Sequence, residues 1–367
     1  MNITVKLGRF CLGVAMAASA LVVMAPGLRA DTAGWSFPVL VQDPPRKTGV
    51  EPFVGKPVDY QALSPKDVTK KWNICYLVPH TTNDIMRAYL YGAVEEAKRL
   101  GAKLTIYDAG GYGNVDKQLA QFDDCVTLGA DAIIVFAVST SGLSQKIREA
   151  RAKGVVVVDN NVGVDTEADA RVVVSYTGVG EKIGKVLAEK HPAGSGKVSV
   201  VVMPGPAGIP WAEDSVIGFK QAVKGSDVVI EKVVYGQAGR LDQQPLVEDV
   251  LVTYPKLNYI IGMGSSTEAA INSLREQGRV GEVGLYATFL TPDLMPSIRK
   301  GDVAGVVVEN SVIIDKLLID MTVRALEKKL TYKDAIPDVT LVDKSTLDKA
   351  IEANVAPSTW KVQFKVD

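Results

Sequence analysis

Several short segments place unusual side chains directly after stretches with the composition of buried strands. Asn83, Asp84, Ile85 and Met86 follow "NICYLVP", and Tyr112 stands in "DAGGYGN" after Leu104–Tyr107. Asp159 and Asn160 close "VVVVDNN". Trp211 and Glu213 follow "VVMPGP", Ser265 and Ser266 follow "IIGMG", and Phe289 follows "LYAT". These residues offer aromatic faces, carboxylates and amides, but no activated nucleophile. Their chemistry is non-covalent capture of a small molecule.

Other motifs offer less. "TGVGEKIG" places Gly178, Gly180 and Gly184 at the start of a helix, as a pyrophosphate-binding turn would. That fingerprint also requires an acidic residue at the end of the next strand, where this chain has Met203-Pro204-Gly205. Glycines that ease a chain crossing and a close helix start explain this motif better than a nucleotide-dependent enzyme does. Asp123 and Asp124 are neighbours on a helix and point in different directions, so they read as a solvated face. There is no G-x-S-x-G elbow. Two histidines, His80 and His191, with so few cysteines make no metal site. No catalytic set, cofactor or metal is expected.

The elements that must position the capture residues are legible from periodicity. β-branched runs at 73–78, 103–107, 130–138 and 155–161 alternate with amphipathic helical stretches at 89–99, 115–128 and 143–154. The rhythm restarts after residue 178, with strands expected at 197–206, 228–234, 258–264, 282–288 and 303–308. Helices are expected between them and over 311–329. Continuous apolar strands separated by helices indicate parallel sheets covered on both faces, here an α/β fold of two Rossmann-like lobes. Three chain crossings are expected, near 175–178, 287–291 and 309–311. The first lobe then comprises 72–175 plus 290–309, the second 176–289 plus 310–345, with 346–367 as a tail. Ligands of open parallel sheets bind outside the carboxyl ends of the strands, which is where the unusual residues fall.

The chain's 367 residues suit two lobes. A net charge of −1 gives no electrostatic reason to expect nucleic acid or an acidic membrane as partner. Lys6 and Arg9, the apolar run Phe10–Ala25 and Leu28-Arg29-Ala30 have the layout of a cleaved signal peptide over residues 1–30, implying export to the periplasm. Cys11 lies too early in that run to be a lipidation site. Cys75 and Cys125 are then the mature cysteines, either a disulfide in an oxidising compartment or two small buried residues. Residues 31–71 are broken by prolines and show no regular periodicity. Trp35, Phe37, Phe53 and Tyr60 nevertheless equip this extension to pack along a lobe or dock on a partner.

"WNICYLVP", "YGAVEEAKRLGAKLTIYDAGGY", "QLAQFDDCVTLGADAIIV" and "VVMPGPAG" together resemble the type I periplasmic binding proteins. More narrowly they resemble the TorT-like sensors of trimethylamine N-oxide, over most of residues 64–330. The resemblance implies a two-lobed fold that closes on a small ligand and is read by a membrane sensor histidine kinase; an ABC permease is the alternative partner, and a homodimer is left open. Both mature cysteines fall where that family carries them. It also implies an aromatic and polar cage, which Tyr112 fits directly. Tyr176 stands at an expected tryptophan, Phe289 at an expected tyrosine, and Glu309 at an acidic position. Asp84-Ile85-Met86 replaces a polar-aromatic-aromatic pattern, so two cage rings are missing and the ligand is expected to be trimethylamine N-oxide or a related small amphipathic compound.

Overall fold

The computed structural model describes Met1 and residues 34–367. The signal peptide expected over residues 1–30 falls, Met1 apart, outside the described residues.

Two six-stranded sheets carry the chain. In the first, Asn73–Val78 lies between Lys103–Asp108 and Ala132–Phe136, followed by Val156–Asn161 and Ala170–Val173, all parallel. In the second, Val198–Gly205 lies between Val228–Tyr235 and Tyr259–Gly262, followed by Gly284–Ala287 and Gly305–Val308, again parallel. Ile133, Ile134, Val135, Val157 and Val158 are wholly buried, as strands with helices on both faces require.

The chain first changes lobe at Val174–Ser175, before the helix Tyr176–Lys190, which packs on Pro210–Ala222 in the second lobe. The later crossings correct the expected partition. Gly305–Val308 pairs with Gly284–Ala287 and with Thr340–Val342, so residues 290–309 remain in the second lobe and there is no crossing at 287–291. The helix Ser311–Leu326 instead belongs to the first lobe, packed on Asp84–Leu100. A third passage follows Pro337. The expected tail, 346–367, forms the helix Leu347–Asn354 and then returns to the first sheet, where Lys365–Val366 pairs antiparallel with Thr105 and Leu104. Alternation identifies strands and helices but says nothing about which sheet edge a strand joins.

The proline-rich extension is also more ordered than its periodicity suggests. Ser36–Val41 and Lys56–Gln61 form an antiparallel pair, to which Ala335–Pro337 adds a third strand. Its prolines are tolerated because Pro57 lies on an edge strand and Pro38 lies beyond the stretch paired on both sides. Trp35 stacks on Tyr60 at 5.7 Å and donates from Nε1 to Glu96 at 2.9 Å. The Tyr60 hydroxyl donates to Asp320 at 2.6 Å, and that carboxylate also accepts from the Leu63 amide. The hairpin is thus bound to two helices of the first lobe.

Cys75, on a strand, and Cys125, on the helix Val115–Thr127, form a disulfide with Cα atoms 6.0 Å apart, packed beside Leu77, Phe122 and Ile133.

The glycines of "TGVGEKIG" serve helix packing. A Cβ on Gly180 would fall on the Ser215 carbonyl, and one on Gly184 would lie 2.6 Å from the Ala222 methyl. Reciprocally, a Cβ on Gly218 would fall on the Thr177 carbonyl. Gly180→Ala should therefore force the two helices apart and cost ~1–3 kcal/mol, as other overpacked cores do. A thermal midpoint equal to that of the parent would show that the pair can yield without cost.

Candidate functional site

Between the lobes, at the carboxyl ends of both sheets, lies a cleft of about 740 Å³. Three features of the first lobe shape its wall. Asn83 caps the helix Asp84–Leu100, its side chain accepting from the Met86 amide at 2.9 Å, which fixes the first turn and presents Ile85 and Met86 to the cleft. Gly110 and Gly111, with φ of 84° and 139°, adopt conformations that favour glycine. They turn the chain after the strand so that Tyr112 enters the cleft beside His80, ring centres 5.8 Å apart. Asn161 has φ 66°, which breaks the alternation of its strand.

Asn161 then joins the residues at the floor. The Tyr176 hydroxyl donates to its Oδ1 at 2.6 Å, and its Nδ2 donates to the Tyr89 hydroxyl at 2.8 Å. The Tyr89 hydroxyl donates in turn to Glu309 Oε2. Phe136 packs edge-on to Tyr89, ring centres 6.1 Å apart. Glu309 is 6% exposed and lines the cleft, and among the described residues no lysine or arginine pairs with it and no donor reaches its other oxygen. Burial pushes its carboxyl up to about 7, with the Tyr89 hydroxyl opposing. Burial and the charge of Glu309 also raise the phenols of Tyr112 and Tyr176, keeping both protonated. Deeper still, burial pushes Asp315 up to about 7, against hydrogen bonds from Tyr76 and Asn160.

The second lobe supplies the opposite wall, including Trp211, Met263, Glu268 and Phe289. The Trp211 ring lies over Gly205, and the Phe289 ring over Gly264.

Of the expected residues, Asn83, Asp84, Ile85, Met86, Tyr112, Tyr176, Trp211, Phe289 and Glu309 come together around the cleft. Asp84 spends its charge locally, on Arg87 at 2.8 Å. Ser265 also lines the cleft, but Asp159, Asn160, Glu213 and Ser266 do not: Asn160 donates to the Tyr76 hydroxyl and Ser266 to the Met203 and Met263 carbonyls. Asp159 is wholly buried, paired with Arg171 Nη1 at 2.7 Å and accepting from the Val164 amide, so it braces the loop after its strand. Glu213 accepts from the Gly208 amide at 2.8 Å and the Tyr235 hydroxyl at 2.7 Å; these bonds hold its carboxyl below the usual range and tie down the turn before its helix. Being near a strand end does not decide which way a side chain points.

Tyr89, Asn161, Phe136 and Glu268 escaped the sequence reading. Tyr89 lies three residues after Met86, on the same helix face, a spacing that could have found it. Asn161 adjoins the expected Asp159-Asn160, but its left-handed backbone has no sequence mark beyond being asparagine.

Two α/β lobes, a cleft at the carboxyl ends of their sheets and a polar-aromatic floor are the architecture of a protein that holds a small solute between lobes. The chain belongs to the periplasmic binding protein domain family, which matches residues 74–330. It is a periplasmic solute-binding protein. It is 24% identical over 302 residues to periplasmic protein TorT of Escherichia coli (strain K12), covering 82% of this chain and 86% of that one. Its fold matches an ABC transporter solute binding protein from Bradyrhizobium sp. BTAi1 with bound bis-tris, at TM-score 0.81 and 35% identity, over 89% of this chain and 98% of that one. A complex of the TorS sensor domain with TorT in the presence of TMAO also matches, at TM-score 0.73 and 27% identity, over 80% of this chain and 100% of that chain.

Proposed function

We propose that this protein captures a small ligand carrying a positively charged, alkylated nitrogen, and that its ligated form is read by a membrane sensor histidine kinase. The observation that carries this reading is Glu309, a buried carboxylate facing the cleft with no basic partner among the described residues. A charge so placed is costly unless a cation meets it. Tyr112, Tyr176, Trp211 and Phe289 line the same space with ring faces or edges suited to methyl and methylene groups. The small molecules of the two structures described above, TMAO and bis-tris, are substituted nitrogen compounds, whereas less similar structures of the same fold hold D-arabinose and D-allose. Ile85 and Met86 keep the wall apolar but add no ring, which argues for a ligand with more alkyl surface than trimethylamine N-oxide.

Such a ligand would favour the closed arrangement in proportion to its greater affinity for it, and the kinase would recognise that arrangement. The similarity to TorT supports the kinase. The Bradyrhizobium relative, described as an ABC transporter solute binding protein, supports delivery to a permease as a second reading.

Calorimetric titration of residues 31–367, freed of co-purified ligand, tests the ligand class. Trimethylamine N-oxide, tetramethylammonium, bis-tris and a neutral aldose should separate, with heat from the nitrogen compounds and none from the sugar. Binding of the aldose alone would refute the proposal. Pull-down with the sensor domain of a kinase encoded beside this protein, against a neighbouring permease, distinguishes the two destinations.

A further inference from the structure

The second-lobe wall has a carboxylate of its own. Glu268, on the helix Gly264–Glu276, lines the cleft and accepts from the Thr291 hydroxyl at 2.5 Å. No ion pair reaches it among the described residues. Partial burial raises its carboxyl, and Asp293 and Asp84 add to the negative field there, while Arg240 acts from outside the lining in the opposite sense. Arg87 already pairs with Asp84. The cleft therefore has an uncompensated negative group at its floor, Glu309, and a partly buried one on the second lobe, Glu268, with the solvent-exposed Asp293 near it.

Like charges on facing walls oppose closure unless something positive lies between them. One ammonium at the floor answers only Glu309. A cleft of about 740 Å³ also belongs to the range that encloses ligands far larger than a trimethylated head group. We infer that the cleft is built for a ligand with two cationic ends, a linear aliphatic diamine or polyamine, with one end at Glu309 and the other at Glu268. This rests on the reading of Glu309 as a cation acceptor and adds the second contact. Bridging both lobes gives such a ligand its differential affinity for the closed form.

The test is calorimetry on the mature protein with 1,4-diaminobutane, 1,5-diaminopentane and spermidine, each against butylamine or pentylamine. Parallel titrations use Glu268→Gln and Glu309→Gln, with circular dichroism to establish that each variant is folded. The diamines should bind at least about tenfold tighter than the monoamines. Glu268→Gln should reduce that ratio to about twofold, the statistical advantage of two equivalent ends, while Glu309→Gln should weaken both kinds. A ratio of about two in the parent protein, with monoamines binding, would overturn the two-ended ligand and leave the proposed function standing. Loss of bis-tris binding in Glu268→Gln without any preference for diamines would also overturn it, by making Glu268 an acceptor for hydroxyls. No binding of any amine or quaternary ammonium would remove both readings together.

Discussion

Glu309→Gln should weaken binding of tetramethylammonium by on the order of a hundredfold, the scale on which losing one partner of a buried charge pair is felt. Glutamine keeps the shape and can still accept from the Tyr89 hydroxyl, so the change removes charge with little disturbance to the floor. The pH dependence supplies an independent check. Burial pushes the Glu309 carboxyl up to about 7, whereas a permanent cation requires the ionised form. Affinity should therefore fall about tenfold per unit as pH drops below 7 and level off above about 8. Glu309→Gln should flatten that profile. The same titration with trimethylamine N-oxide tells which end meets Glu309: affinity rising with pH places the nitrogen there, as proposed, and affinity falling above pH 7 places the oxygen there, accepting from the neutral acid.

The raised carboxyls also affect folding. Glu309 and Asp315 keep their protons in the native protein at pH values where the unfolded chain has released them. Stability of the ligand-free protein should fall as pH climbs from about 4.5 to 7, because the native state binds more protons across that window. A bound cation should restore part of what is lost above pH 7.

The second large effect arises outside the cleft lining. Arg46 meets Asp334 in a two-point ion pair, Nε to Oδ2 at 2.7 Å and Nη2 to Oδ1 at 2.8 Å, with side chains 3% and 0% exposed. The Arg46 amide also donates to Asp334, and its Nη1 reaches the Glu51 carbonyl at 3.2 Å. This pair fastens the turn of the extension to the residue just before Ala335–Pro337, the strand that leads out of the first lobe. Arg46→Ala should cost ~3–5 kcal/mol, because it leaves a buried carboxylate uncompensated. Replacing both partners with Met and Leu should be close to neutral, since that removes the stranded charge together with the attraction. Urea unfolding of the protein measures both. A loss under about 1 kcal/mol for Arg46→Ala would mean that water reaches Asp334 readily.

Local pattern alone determined the two βα halves, the strand ends as the place of the site, and Tyr112 and Phe289 as residues to watch, while Tyr176 and Glu309 stood out through the family resemblance. Such features follow from short-range rules: β-branched runs make strands, glycines make turns, and residues after parallel strands collect at one edge. Tertiary structure decided what depends on partners distant in sequence. Gly305–Val308 joined the second sheet and Ser311–Leu326 the first lobe, reversing the expected partition, because strand pairing and helix packing are settled between segments rather than within them. Asp159 and Glu213 carry side chains that look suited to a ligand, yet Arg171, Gly208 and Tyr235 claimed them. Among the described residues, Glu309 stayed in the cleft without a basic partner. A carboxylate's role is set by which donors and cations surround it in space, and that neighbourhood exists only once the lobes have folded.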